Sequence, residues 1–207
     1  MMETTQLNEM QRDALQEVAN IGASHAATAL SKMVNRPIQV GIPRIDIVPI
    51  EQSIETVPQD DPVVGVFLQM SQETPLYVMV LLSKKSAFYL ANLLLNQPEE
   101  ETRDDFSEME QSALMEVSNV MMSSFFDSIT RLINISMIPG PPMLAYDMPA
   151  AILDYALIKI SSVANTVLLF ETAVNEEGTN TFDVNMFLIP EPQTIDLILE
   201  KLGMNSP

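Results

Sequence analysis

The 207-residue chain has no cysteine, a single histidine, and ten lysines and arginines against 28 aspartates and glutamates. Each scarcity removes a class of function. Without cysteine there are no disulfides, no thiolate metal sites and no thiol nucleophile. A Ser–His–Asp relay or a His-ligated metal would rest on His25 alone. That residue follows Gly22-Ala23-Ser24 in an alanine-rich stretch and reads as a packing or local hydrogen-bonding residue. The formal net charge of −18 argues against nucleic-acid binding, which needs basic side chains to displace counterions from phosphates, and against anionic membranes. No run approaches the roughly 18 apolar residues of a membrane span. The opening Met-Met-Glu-Thr-Thr-Gln lacks the basic and apolar segments of a signal peptide, so a cytoplasmic location is expected.

The hydrophobic content of 47% is enough for a sizeable core. Acidity is uneven, with 13 acidic against 7 basic residues in 1–103 and 15 against 3 in 104–207. Such a surface favours solubility, steers a partner with a basic face, or reflects a high-salt habitat.

One pattern occurs twice, as Asp13-Ala-Leu-Gln-Glu17-Val-Ala-Asn20 and as Ser112-Ala-Leu-Met-Glu116-Val-Ser-Asn119, with a constant offset of 99 residues. The register continues through Ser24/Ser123, Lys32/Arg131, Asn35/Asn134 and Pro43/Pro142, as an internal duplication would give. Within each copy the Asp or Ser, Glu and Asn stand at i, i+4 and i+7, one stripe of a helix, while Leu15 and Val18 point the other way. Polar residues solvating an outer helix face would account for one copy. A mid-helix Asn costs several tenths of a kcal/mol relative to a better helix former, and repetition of that cost points to a surface used twice.

Periodicity and punctuation predict a helix over 7–33, with Thr and Asn as candidate caps and Gly22 available for a bend or close packing. A strand follows over 37–50, interrupted at Pro43, then a helical turn and acidic loop over 51–61. Strands over 63–72 and 76–82 form a hairpin, Ser83 caps a helix to Asn96, and a polar linker covers about 97–105. The second part repeats the plan: a helix over about 106–133, an extended piece over 137–144, a helix over 149–161, a hairpin of 166–173 with 181–188, and a final helix over 192–202. The expected architecture is an α/β (α+β) sandwich in one domain, 1–207, built from two pseudo-two-fold-related αβαββα repeats of about 1–97 and 105–207. Its long helices would pack on a shared antiparallel-rich sheet. Met115, Met121 and Met122 are expected to fill the core.

Asp/Ser-x3-Glu-x2-Asn followed by Pro after 22 intervening residues, twice in one chain, resembles the CheC phosphatases of the chemotaxis CheC/CheX/FliY family. The stretch from Glu17 to Ser31 is similar to the family's first site nearly throughout, and the likeness extends to Ala150-Ala-Ile-Leu-Asp154 and Ile189-Pro-Glu-Pro. The resemblance implies hydrolysis of the aspartyl phosphate of the response regulator CheY at two sites, Glu17/Asn20 and Glu116/Asn119. Each Asn would position the attacking water and each Glu would engage the regulator's active-site lysine. Asp13 and Ser112 would flank the contact, and Pro43 and Pro142 would shape the chain nearby. No metal or cofactor is expected in this chain, the Mg²⁺ belonging to the regulator.

The second helix carries Val-Met-Met-Ser-Ser-Phe-Phe after Asn119 where the first has Ile-Gly-Ala-Ser-His-Ala-Ala, so the two sites are expected to differ in packing and activity. The alternative reading is a non-catalytic binding module for phosphorylated CheY or for the receptor deamidase CheD. A flagellar-switch component of the FliM or FliY type would be expected to need a C-terminal switch domain, which the sequence up to Pro207 does not contain.

Overall fold

A computed structural model describes residues 8–41, 44–49, 52, 60–70, 76–98, 103–160, 166–176 and 181–204. The long helices are α1, Glu9–Val34, and α3, Glu108–Ile133. Each opens on a capping box: Asn8 with Gln11 for α1, Ser107 with Glu110 for α3. The reciprocal bonds satisfy donors that the first helical turn leaves unpaired. Helix α2, Lys84–Leu95, is capped by the Ser83 hydroxyl as the sequence predicts. All three end on an asparagine in the left-handed region, Asn35, Asn96 and Asn134, a conformation asparagine tolerates better than most side chains.

The strands are β1, Ile38–Val40; β2, Arg44–Pro49; β3, Val63–Gln69; β4, Leu76–Ser83; β5, Met143–Asp147; β6, Thr166–Glu176; and β7, Thr181–Pro190. They form one sheet in the order β1-β6-β7-β4-β3-β5, with β2 also on β6. All the pairings are antiparallel. Alternation along the strands gives the sheet two apolar faces. Val64, Val66, Leu68, Val80 and Met186 share one core with α1, α2, α3 and α5, Pro192–Lys201. Val63, Phe67, Leu81 and Phe187 share another with Ile152 and Leu153 of α4, Pro149–Ile160. Gly65 lets α4 approach, since a Cβ there would lie 2.8 Å from Ile152.

Several boundaries differ from the sequence reading: β6 and β7 run on to Glu176 and Pro190, and two further differences have a local cause. The extended piece over 137–144 is a strand only from Met143, because Pro139, Pro141 and Pro142 supply no N–H for a ladder; before it there is a single bridge, Met70 to Pro139. Helix α3 starts at Glu108 rather than about Phe106; Phe106 is instead buried and stacked on Phe88, with centroids 4.0 Å apart. The predicted turn and loop over 51–61 lie largely outside the described residues, and Pro43 and the whole 71–75 connection lie outside them.

Candidate functional site

Leu15, Val18, Ala19, Ala23, Ala26 and Leu30 of α1 are buried, as are Leu114, Val117, Met121, Met122, Phe125 and Phe126 of α3. Met121 and Met122 fill the core as expected, whereas Met115 is only half-buried. The two helices lie antiparallel. Early residues of α1, such as Leu15, line one cavity with late residues of α3, such as Ile129, and later ones, such as Ala26, line another with Met121. At the crossing Gly22 faces the Phe125 ring so closely that a Cβ would sit 2.5 Å from it. The glycine thus serves close packing.

With that face buried, the opposite stripe is presented outward. Asp13 and Glu17 are exposed and Asn20 is half-buried; Ser112 and Glu116 are exposed and Asn119 is half-buried. Each helix therefore brings its three predicted residues onto one accessible face, and two exposed carboxylates stand one turn before two amides. Pro142 is half-buried just ahead of β5, on the connection leaving α3.

Two features of the first site escape the sequence reading. The Gln16 side-chain amide donates to Asn20 Oδ1 at 3.2 Å, a Gln–Asn pair at i, i+4 whose spacing is a readable signal. This bond fixes the rotation of the Asn20 amide and leaves its N–H₂ group directed elsewhere. Position 115, the counterpart of Gln16, is a methionine and has no such donor. In addition, Asn20, Ser24 and Thr28 line a groove of about 530 Å³ against Ile38, Gln39 and Gly41. Strand β1 is held beside the groove by Ser31, whose hydroxyl accepts from the Ile38 N–H at 2.9 Å and donates to the Ile38 carbonyl at 3.3 Å. The counterpart of Ser31 is Thr130, whose Oγ1 is buried with no hydrogen-bond partner among the described residues.

The α3 cap is the main electrostatic feature. Glu110 is 1% exposed; it accepts from the Ser107 N–H at 2.8 Å and hydroxyl at 2.7 Å, and pairs with Arg103. Burial opposes its charge, but these hydrogen bonds and the guanidinium outweigh it and hold the carboxyl below its usual range. Among the described residues no three His, Cys, Asp or Glu side chains stand together as a metal site.

The CheC-like family model matches residues 10–45, the stretch holding Asp13, Glu17, Asn20 and Pro43. The chain is 24% identical over 200 residues to the CheY-P phosphatase CheC of Bacillus subtilis (strain 168), covering 95% of this chain and 96% of that protein. It is 25% identical over 140 residues to the flagellar motor switch phosphatase FliY of the same organism, covering 68% of this chain but 36% of that longer protein. Among solved structures, Thermotoga maritima FliY superimposes with a TM-score of 0.78 at 20% identity, covering 97% of this chain and 99% of that one.

Proposed function

We propose, from the likeness of residues 10–45 to the CheC-like family model and of nearly the whole chain to CheC of Bacillus subtilis, that the chain is a phosphatase that hydrolyses the aspartyl phosphate of phosphorylated CheY. The observation that carries the mechanism is the outward stripe on each long helix, with an exposed Glu one turn from a half-buried Asn. The regulator already holds the phosphoryl group, and its Mg²⁺ neutralises charge there, so the element left for this chain is a water fixed in line with the leaving carboxylate. Asn20 or Asn119 enters the regulator's site, where a neutral amide can both donate to and accept from that water. Attack forms the new P–O bond as the acyl P–O bond breaks, releasing inorganic phosphate and the regulator's aspartate. Glu17 or Glu116 pairs with the regulator's lysine and sets the helix's angle of entry. Asp13 and Ser112 contact the rim.

The same proposal includes two corresponding sites, one on each long helix, related by a pseudo-two-fold axis. The strand order supports it: taken through β2 rather than β1 beside β6, it runs β2-β6-β7-β4-β3-β5, which reads the same backwards when β2, β3 and β4 are exchanged with β5, β6 and β7. The pairing agrees: β2 lies on β6 as β5 lies on β3, and in the middle of the β4–β7 ladder Met79 faces Phe187.

The test is the decay of phosphorylated CheY with catalytic amounts of the chain. Acceleration by the wild type that falls at least about 100-fold in Asn20→Ala/Asn119→Ala, the scale of losing a preorganised polar group at a reacting centre, is the expected result. Unchanged decay with tight binding would instead favour the binding-module reading.

A further inference from the structure

The stripe through Glu17 and Asn20 starts with a methionine. Met10 precedes Glu17 by seven residues, so it lies within about 20° of it around the helix and about 10 Å away along it. Met109 stands in the same relation to Glu116. Both belong to the first helical turn, which the capping boxes hold in place, and both stand in water, 67% and 65% exposed. Scattered exposed hydrophobic side chains are ordinary. Here the same long apolar side chain recurs at the same distance from the same Glu and Asn on two helices, while Glu9 and Glu108 beside them suit the positive helix end.

We propose that Met10 and Met109 are apolar anchors that seat the substrate protein, each entering a hydrophobic recess of the phosphorylated regulator next to its acidic site. This rests on the proposed function. The regulator is the occupant because of the size of a docking footprint: about 800 Å² per partner, a patch roughly 30 Å across. A protein centred on Glu17 and Asn20 therefore covers Met10 as well. A flexible thioether side chain suits such a recess, since it adapts to an irregular surface. The anchors are remote from the phosphoryl group, so they hold ground state and transition state alike, and their loss raises KM and leaves kcat in place.

The experiment compares the wild type with Met10→Gln/Met109→Gln and with Met10→Leu/Met109→Leu. Gln keeps length and helix propensity and removes the apolar end. Two quantities are measured: steady-state hydrolysis of phosphorylated CheY, and affinity for CheY held in its phosphorylated form by beryllofluoride. The expected result is a KM and a Kd raised about tenfold by the Gln pair at unchanged kcat, with the Leu pair within about twofold of wild type. Gln-pair values within twofold of wild type overturn the anchors. Binding by the wild type without turnover would remove the phosphatase reading while the Kd difference still upheld the anchors; no binding by the wild type would overturn both.

Discussion

Helices α1 and α3 are both 26 residues long, both start on a capping box and both end on a left-handed asparagine, yet they meet through opposite surfaces. Around the crossing α1 offers Gly22, Ala23, Ala26 and Ala27, where α3, 99 residues on, offers Met121, Met122, Phe125 and Phe126. Volume is conserved over the pair and not within either helix. One helix is a socket and the other a plug, so each core-facing surface was free to diverge provided its partner compensated. The outward stripe has no such partner within the chain. Its Glu and Asn are the same in both helices, as expected if what they fit lies in another molecule.

The sharpest way to break this comparison is at the crossing. Phe125→Ala should cost about 3–5 kcal/mol as a cavity opens, and Gly22→Ala about 1–3 kcal/mol because its Cβ meets the Phe125 ring. In the Phe125→Ala background the second change should become neutral or stabilising, since Ala is the better helix former by about 1 kcal/mol. Urea denaturation of the cycle reads the coupling directly; additive costs would mean that the helices do not meet at this pair.

The caps offer the next contrast. That of α1 is neutral, with Gln11 bonded to Asn8 and to the Met204 carbonyl at 3.3 Å, whereas that of α3 is ionic. The folded carboxyl of Glu110 lies below its unfolded value. Its contribution is therefore complete above about pH 4.3, the ordinary Glu pKa, and is lost as pH falls through the lower folded value. Glu110→Gln should lower stability by about 2 kcal/mol at pH 7 and flatten the acid side of the profile. Gln11→Ala should shift the whole profile down without changing its shape. Thermal melts from pH 7 to pH 3 separate the two.

Much of this contrast could be read in advance. The two long helices, the Ser83 cap, the helix end at Asn96 and four strands follow from periodicity and turn chemistry. The Glu/Asn stripe stands out because it repeats. Ser107-x-x-Glu110 also bears the sequence mark of a capping box, and with Asn8 and Gln11 it extends the 99-residue register to the helix starts. Local pattern does not carry the partner choice of strands far apart in sequence, which places β1 and β2 on β6 and β5 on β3. Nor does it show that Gly22 opposes Phe125 and not another bulky side chain. Those depend on the assembled sheet, where every ladder has equally good apolar alternation to offer.

Ser31 and Thr130 occupy matching positions with different outcomes. Ser31 ties β1 to α1, while Thr130 buries a hydroxyl that has no partner among the described residues. Ser31→Ala should cost about 1 kcal/mol, a typical hydrogen bond. Thr130→Val, which keeps the shape and removes the orphaned hydroxyl, should be neutral or stabilise by up to about 1 kcal/mol. Chemical denaturation in which both changes cost the same would show that Thr130 has a partner after all.

The smallest expected effect bears most directly on function. Gln16 holds the Asn20 amide through its Oδ1 atom at 3.2 Å, whereas the counterpart beside Asn119 is Met115. An amide held in one rotation before docking loses less freedom on entering the regulator, and one held wrongly must first release its bond; either way the two sites should differ. Exchanging the neighbours isolates the effect. Gln16→Met in an Asn119→Ala background and Met115→Gln in an Asn20→Ala background each leave one working site. They should change its kcat about two- to fivefold in opposite directions, the scale of a hydrogen bond worth about 0.5–1 kcal/mol. If the bond pre-orients the amide, the first change slows its site and the second speeds it; if the bond must break, the signs reverse. Equal rates in Asn20→Ala and Asn119→Ala, together with silent exchanges, would mean that the water is placed by the Asn and the regulator alone, and that the divergence of the two helices ends at their buried faces.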